Sequence, residues 1–225
     1  MSTARRPAVT GHRGQKIPDL AKTKVDRRVA RTTQELHTAL LELIVEKGYD
    51  AVTVRDIVAR AKVGRSTFYS HHGSKEALLS SSVQQLRRVL AAQQEMFHQT
   101  PGAPWCGFTA FFFAHAREHR PLYRALGSHG GAFVLAKIRH TLRELVAGEI
   151  HRALSAQRKT AQRSVTDAAV HFVVDAMVSV LLFWLDDHPS WPAAQAERLF
   201  RDLALPGLSR ALQCDVTALA AAPRG

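Results

Sequence analysis

TVRDIVARAKVGRSTFYSHHGSK, residues 53–75, contains two short helical patterns separated by a break. Apolar residues recur at helical spacing from Val54 to Ala61. Thr53 precedes them as a typical N-cap residue, since its side-chain oxygen can accept a backbone N–H of the first turn. The run 62–64, Lys-Val-Gly, interrupts the pattern, and Gly64 is free to adopt backbone angles that other residues resist. The stretch therefore predicts a helix, a tight turn and a second helix.

The second helix is expected over residues 65–71, with Phe68 directed into a small core and the polar side chains directed outward. Phosphate groups are bound by cations and hydroxyls, whereas base edges are read by side chains that reach into a groove. A short helix with hydroxyls, an aromatic ring and positive charge, supported by an apolar helix, suits the major groove of DNA.

Residues 26–79 resemble the DNA-binding head of the TetR (tetracycline repressor) family of bacterial transcription regulators. The matching segments are a long helix ending at Gly48-Tyr49, then TVRDI (53–57), TFYSH (67–71) and SKEALL (74–79). The order and spacing of these segments make the resemblance specific.

Four residues depart from the family pattern. Lys62 stands where the family usually has Gly, and Gly64 where it often has Ser or Thr. Val58 replaces a common Ala, and His72 replaces an aromatic Phe that normally packs there. We expect Lys62 to strain the turn and His72 to alter the local packing.

The resemblance implies a set of residues that contact bases or phosphates. These residues are Thr53, Arg55, Arg65, Ser66, Thr67, Tyr69, Ser70, His71 and Lys75. An arginine can bind guanine through two hydrogen bonds, which contributes about 1–3 kcal/mol of discrimination, and we assign that role to Arg65. The alternative is that these are ordinary exposed residues of a small helix.

The charge of the chain favours an anionic partner such as nucleic acid or an anionic membrane. The formal net charge is +12 and the pI is about 10.5. Residues 1–31 carry nine Lys and Arg against two Asp, a net +7. We interpret residues 1–25 as a flexible basic arm that can lie along phosphates or in the minor groove. The alternative is that this segment only keeps the protein in solution.

Neither a membrane protein nor an enzyme is expected. The longest apolar stretch, 168–185, is interrupted by His171 and Asp175, so a membrane span is not expected. The N-terminus lacks the apolar segment of a signal peptide, and Cys106 and Cys214 form no metal or redox motif, which indicates the cytoplasm. No phosphate-binding glycine loop, nucleophile elbow or catalytic carboxylate pair occurs, and no cofactor is expected.

Helical periodicity runs through the chain and no strand pattern competes with it, so the fold is predicted to be all-α, with about nine helices. We expect a three-helix helix-turn-helix head over residues 26–73. A larger C-terminal domain for regulation and dimerisation is expected over 74–205, and a tail over 206–225. The first helix is predicted to begin at Asp26.

The resemblance implies that the last two helices, expected over 164–185 and 192–203, pair with their copies in a four-helix bundle. A two-fold dimer places its recognition helices roughly 34–36 Å apart and therefore predicts a pseudo-palindromic DNA site. The alternative is that these helices complete the core of a monomer. The expected interface residues are Met177, Leu181, Trp184, Leu199 and Phe200.

The resemblance also implies a small-molecule effector enclosed by the C-terminal domain. The expected lining residues are Phe108, Phe112, His115, Tyr123, Phe133, His171 and Asp175. An aromatic cluster of this kind, taken alone, is more often plain core. His171 and Asp175, four residues apart on an apolar helix, could pair with each other, bridge the dimer or contact an effector.

His115 and His119 are four residues apart on a predicted helix and could hold a transition metal. No third ligand is identifiable from the sequence, so no metal site is expected.

These patterns together favour a sequence-specific DNA-binding regulator, a ligand-responsive repressor that binds as a homodimer. Two alternatives remain. One is a basic protein that binds DNA with little sequence specificity, and the other is a small-molecule-binding protein with a degenerate head.

Overall fold

The computed structural model describes residues 20–100, 104–128, 131–188 and 190–216. Within these ranges the chain forms nine helices and no strand, so the all-α prediction is confirmed. The helices are α1 (Leu20–Lys47), α2 (Val54–Ala61), α3 (Arg65–His71), α4 (Lys75–Gln99), α5 (Phe108–Glu118), α6 (Arg120–Ser128), α7 (Ala132–Ala156), α8 (Arg163–Asp187) and α9 (Ala193–Leu212).

The two ends of the helical region extend further than expected. Helix α1 begins at Leu20 instead of Asp26, so the last residues of the predicted arm are helical. Residues 1–19 lie outside the described residues. Helix α9 continues through Pro206 to Leu212, although a proline inside a helix costs about 3 kcal/mol. Leu208 and Leu212 are buried beyond the proline, each contributing about 1.5–3 kcal/mol, and this burial explains why the helix continues into the predicted tail.

Helices α1, α2 and α3 pack around a small apolar core, to which the first turns of α4 also contribute. Five of its side chains are fully buried: Leu36, Leu40, Ile57, Phe68 and Leu78. We call this part of the molecule the head. The fixed position of α3 follows from this packing, since an isolated helix of seven residues is too short to be stable in water.

The remaining helices, α5 to α9 with most of α4, form the body, at whose centre lies α8. Helix α8 packs between α7 and α9 and buries side chains such as Val174, Met177 and Trp184. By length and mean hydropathy, 2.0 over 18 residues, α8 could cross a membrane. However, 56% of that window is buried inside the protein, which is the pattern of a core helix.

Two helices connect the body to the head. Helix α4 begins in the head and continues along α5 and α7, while α6 packs against α1. Arg120 at the start of α6 donates to the backbone oxygen of Leu185 in α8 (3.0 Å). Helix α6 is therefore held between the central helix of the body and the first helix of the head.

Candidate nucleic-acid interface

The start of α2 is fixed by a capping box, which confirms the predicted N-cap at Thr53. The Thr53 hydroxyl oxygen accepts from the Asp56 backbone N–H (3.3 Å), and Asp56 Oδ2 accepts from the Thr53 backbone N–H (2.9 Å). Lys47 at the end of α1 also donates to Asp56 (2.7 Å). These hydrogen bonds, that from Lys47 foremost, hold the pKa of the Asp56 carboxyl well below its usual range. The carboxylate thus anchors α2 to α1.

The turn between α2 and α3 depends on Lys62, not on Gly64. Lys62 has the left-handed conformation (φ 55°, ψ 38°), while Gly64 has ordinary extended angles (φ −66°, ψ 146°). Gly64 therefore does not use the backbone freedom that glycine provides. Lys62 ends α2 as a left-handed cap, a position that favours glycine, and its N–H reaches the last carbonyls of the helix. The strain predicted at Lys62 has its physical basis in this positive φ.

Helix α3 is anchored by one buried side chain and exposes the residues around it. Phe68 is completely buried, as predicted. The ring of Tyr69 meets it edge-on, 5.3 Å between centroids, and remains half exposed. Arg65 and Tyr69 lie one helical turn apart and therefore share a face. The exposed residues of α3 are Arg65, Ser66, Tyr69 and Ser70.

The opposite side of α3 is directed toward α1. Thr67 and His71 are half-buried there, and His71 Nδ1 lies 3.5 Å from Thr33 Oγ1. His72 follows, with its ring between those of Phe68 and His37 (6.2 and 6.0 Å between centroids). Thr67 and His71 are consequently less accessible to DNA than the exposed residues of α3, while His72 occupies the aromatic packing position.

The cations of this surface differ in whether their charge is already neutralised. Arg60 is held by two acidic residues of α1, Glu46 (2.7 Å) and Glu42 (3.2 Å), which raise its pKa. By contrast, Arg55 and Arg65 are exposed and make no ion pair with any residue that the structure describes. The cations of α2 and α3 that remain available to a phosphate or a base include these two arginines.

Lys75, which was predicted to hold a phosphate, has a different set of contacts. Its ammonium donates to the backbone oxygens of Tyr49 (3.1 Å), Asp50 (3.4 Å) and Val52 (2.8 Å). It also lies 4.4 Å from the centre of the Tyr49 ring. All three donors of the ammonium are therefore used to hold the loop between α1 and α2.

The seven residues predicted to line an effector pocket fall in three separate places. Phe112, His115 and Tyr123 meet between α5 and α6, and Phe108 is buried one turn before Phe112 on α5. Phe133 lies elsewhere, against Tyr49 of the head. His171 and Asp175 are exposed, and Asp175 pairs with Arg139 of α7 (3.1 Å). The prediction of one shared pocket is wrong, because the exposed positions of α8 that carry these residues face outward.

A polar cleft that the sequence did not reveal lies between the ends of α4 and α7. It has a volume of about 400 Å³ and is lined by residues including His98, Trp105, Glu149 and Arg152. Glu149 is buried and accepts from Gln94 Nε2 (2.5 Å), with His98 Nε2 also at 2.5 Å. A glutamate inside an apolar helical pattern was the available signal, since a buried carboxylate requires partners.

The predicted dimer residues lie mostly inside the chain. Met177, Leu181, Trp184 and Phe200 are each at most 1% exposed, so they cannot present surface to a second copy. Only Leu199 is partly exposed. The choice of these four residues was wrong because helical periodicity shows an apolar face but not which apolar face is outermost. The exposed large apolar side chains of α8 and α9 are Phe172, Phe183 and Leu203.

Comparison with known proteins places the head among bacterial regulators. Residues 36–81 match the model of the family described as bacterial regulatory proteins, tetR family. A segment of 62 residues is 40% identical to an uncharacterized HTH-type transcriptional regulator of Bacillus subtilis (strain 168), YxbF. That match covers 27% of this chain and only 16% of the relative. The sequence similarity therefore concerns the head.

Solved structures extend the likeness of fold to most of the chain. A TetR transcriptional regulator from Streptococcus agalactiae 2603V has a TM-score of 0.59 at 22% identity, covering 81% of this chain and 98% of that one. Thermus thermophilus FadR, a TetR-family transcriptional repressor solved in complex with lauroyl-CoA, has a TM-score of 0.53 at 19% identity, covering 78% and 94%. At these identities the likeness shows the fold alone.

Proposed function

We propose that this chain, which belongs to the TetR family, is a sequence-specific DNA-binding transcription regulator without catalytic activity. The observation that carries the proposal is the exposed face of α3. It presents Arg65, Ser66, Tyr69 and Ser70 on a helix whose opposite side is fixed by the buried Phe68. A rigid helix with this surface can enter the major groove, with Arg65 reading a guanine and the hydroxyls binding phosphates or base edges.

Residues outside α3 would complete the DNA contacts. Thr53 and Arg55 at the start of α2 are exposed, and Arg55 has an available charge. Thr67 and His71 are half-buried and would contribute at the edge of the contact. We leave Lys75 out of this set because its ammonium is already bound to three carbonyl oxygens. The basic residues 1–19 provide further charge for phosphates.

The protein acts as a two-fold homodimer through α8 and α9 in this proposal. The two helices form an apolar outer surface that includes Phe172, Ala168, Gly207 and Ala211, with a groove of about 470 Å³ between them. Exposed apolar patches of this kind mark interaction sites. A second copy would cover this surface and place two recognition helices on successive major grooves, as a two-fold symmetric DNA site requires.

An effector would regulate DNA binding from the body and would act in the cytoplasm. The cleft at Glu149 is the candidate binding site because it combines a buried carboxylate with the ring of Trp105 and the charge of Arg152. Such a ligand shifts the dimer only if it binds one arrangement of the heads more tightly than the other. Repression then follows if the ligand favours the arrangement that does not fit the DNA.

The test is selection of bound duplexes from a random library, with wild type, Arg65→Ala and Arg88→Ala. Arg88 is an exposed arginine of α4, outside α2, α3 and the cleft at Glu149, and serves as the matched control. We expect the wild type and the control to enrich one two-fold symmetric site, and Arg65→Ala to lose preference at one base of each half-site. Loss of about 1–3 kcal/mol of discrimination is expected at that base.

A result without an enriched motif, and with affinity that collapses as salt rises, would contradict sequence-specific recognition. It would favour a basic protein that binds DNA mainly through counterion release, which the +7 charge of residues 1–31 could support. Failure to bind any duplex at low salt would instead indicate a small-molecule-binding protein with a degenerate head.

A further inference from the structure

A cluster of metal-ligating side chains lies at the junction of α5 and α6. His115, Glu118 and His119 each offer one ligand atom, and these three atoms lie within 4.8 Å of one another. The sequence showed the two histidines at helical spacing but no third ligand. The structure supplies it, since α5 ends at Glu118 and His119 leaves the helical path as the C-cap residue (φ −106°, ψ 30°).

The imidazole rings of His115 and His119 are close together, and the ring of His115 is packed against neighbouring aromatic rings. The ring centroids of His115 and His119 are 4.4 Å apart. The His115 ring stacks on Phe111 (6.1 Å) and meets the edge of Tyr123 (6.1 Å). These ring contacts hold the His115 imidazole in place beside that of His119.

The three side chains are also not engaged elsewhere. Over the described ranges of the chain, neither histidine nor Glu118 makes a hydrogen bond or an ion pair through its side chain. His119 and Glu118 are exposed and can adjust their rotamers toward an ion, whereas His115 provides a fixed ligand. Small rotations of this kind would bring the three atoms from their present spacing onto one ion.

We propose that His115, Glu118 and His119 bind a divalent transition-metal ion such as Zn²⁺, Ni²⁺ or Co²⁺. Imidazole nitrogen selects this class of ion over Mg²⁺ and Ca²⁺, which prefer sites made of oxygen ligands. Two imidazoles and one carboxylate are a common ligand set, and they leave at least one position for water or another ligand.

A metal ion at the junction of α5 and α6 would affect how these two helices are arranged. The His119 backbone oxygen accepts from the N–H groups of Leu122 (3.0 Å) and Tyr123 (3.2 Å) in the first turn of α6. An ion bound to His115 and His119 would thus fix the angle between α5 and α6. Because α6 packs against α1 of the head, the site lies one helix away from the DNA-binding part.

The experiment titrates the full chain, without an affinity tag, first with Co²⁺ and then with Zn²⁺. Co²⁺ binding is followed by its visible absorption, and Zn²⁺ by calorimetry and by displacement of the bound Co²⁺. We expect one ion per chain. His119→Asn and Glu118→Gln, both at exposed positions, should each weaken metal binding at least about tenfold. Loss of a residue that only supports a metal ligand already weakens binding by about this much, so loss of a ligand should weaken it no less.

His151→Asn is the matched control, because His151 is exposed on α7 and does not belong to the cluster. His115→Asn should abolish binding, with its helical circular dichroism compared with wild type because His115 is partly buried. No saturable binding of either ion, or binding that both exposed variants leave unchanged, would overturn the proposal. The readout does not involve DNA, so it is independent of the proposed regulatory function.

Discussion

The ring of Phe133 in α7 stacks on the ring of Tyr49 in the loop between α1 and α2, with 5.5 Å between centroids and 19° between planes. Tyr49 also donates from its hydroxyl to Glu76 (3.4 Å) and lies beneath the ammonium of Lys75. Burial, followed by the charge of Glu76, raises the pKa of Tyr49. One tyrosine therefore joins the loop of the head, the start of α4 and the first turn of α7.

Phe133→Ala should loosen this connection. The stack contributes about 0.5–1.5 kcal/mol beyond area burial, so we expect the free energy of unfolding to fall by about 1 kcal/mol. Amide hydrogen exchange should accelerate in residues 48–53, while exchange in α8 stays at its wild-type rate. Met96→Ala removes another exposed apolar side chain, from α4, and should change neither quantity noticeably. Unchanged exchange in the loop would show that Phe133 does not hold the head.

Lys62→Gly should stabilise the protein. A side chain in the left-handed region destabilises the folded state by roughly 1–2 kcal/mol relative to glycine. Glycine is more flexible in the unfolded chain, which offsets about 0.5–1 kcal/mol of the gain in stability. We therefore expect a net gain of about 0.5–1 kcal/mol in urea unfolding. Lys62→Ala is the control, because alanine keeps the Cβ and should give no gain. An equal gain in both variants would mean that the charge of Lys62, and not its conformation, opposes folding.

The head was largely predictable from sequence because its signals are local. The cap at Thr53, the apolar face of α2 and the inward Phe68 follow from helical period and N-cap chemistry. The left-handed Lys62 could be anticipated only from its place in the family pattern. Gly64 has a negative φ, since a glycine permits a positive φ without requiring one.

Long-range packing explains what the sequence could not show. Leu181 and Leu203 are both apolar residues of helices, yet Leu181 is 1% exposed and Leu203 is 63% exposed. Their difference arises from which neighbours the two helices meet, since α8 packs between α7 and α9 whereas α9 packs against α8 and α5. Glu118, by contrast, lies three residues after His115 on α5 and so on the same helical face, and this spacing was the available signal for a third ligand.

Leu203→Glu should give a folded monomer. Leu203 lies on the outer face of α9, so water would solvate a charge there in the monomer. In the dimer the same charge would be buried between the two copies without a partner. We expect light scattering to report the mass of one chain, with wild-type helical content. DNA affinity should fall strongly, because two linked recognition helices then become separate.

Two further variants serve as controls for Leu203→Glu. Gln195→Glu adds a charge at an exposed position of the same helix and should leave a dimer. Leu181→Glu should instead destabilise the fold, since the side chain is inside the core. A dimeric mass for Leu203→Glu would place the contact between copies on another surface.

His72→Phe should make the head less sensitive to acid. Burial, and then the neighbouring His37 and His71, lower the pKa of His72 below its ordinary value of 6.5, and its Nε2 is buried without a hydrogen-bond partner. A histidine with a lowered folded-state pKa binds more protons when unfolded, so the stability it contributes is complete above about 6.5 and is lost as the pH falls through and below that value. Urea unfolding at pH 7.5 and 5.5 should therefore show a smaller loss of stability in His72→Phe than in wild type. His151→Gln, at an exposed position, should lose as much stability as wild type between these two pH values.

If His72→Phe lost as much stability as wild type over this range, the acid sensitivity would have to come from other groups, such as His37 or His115, whose pKa values burial also lowers.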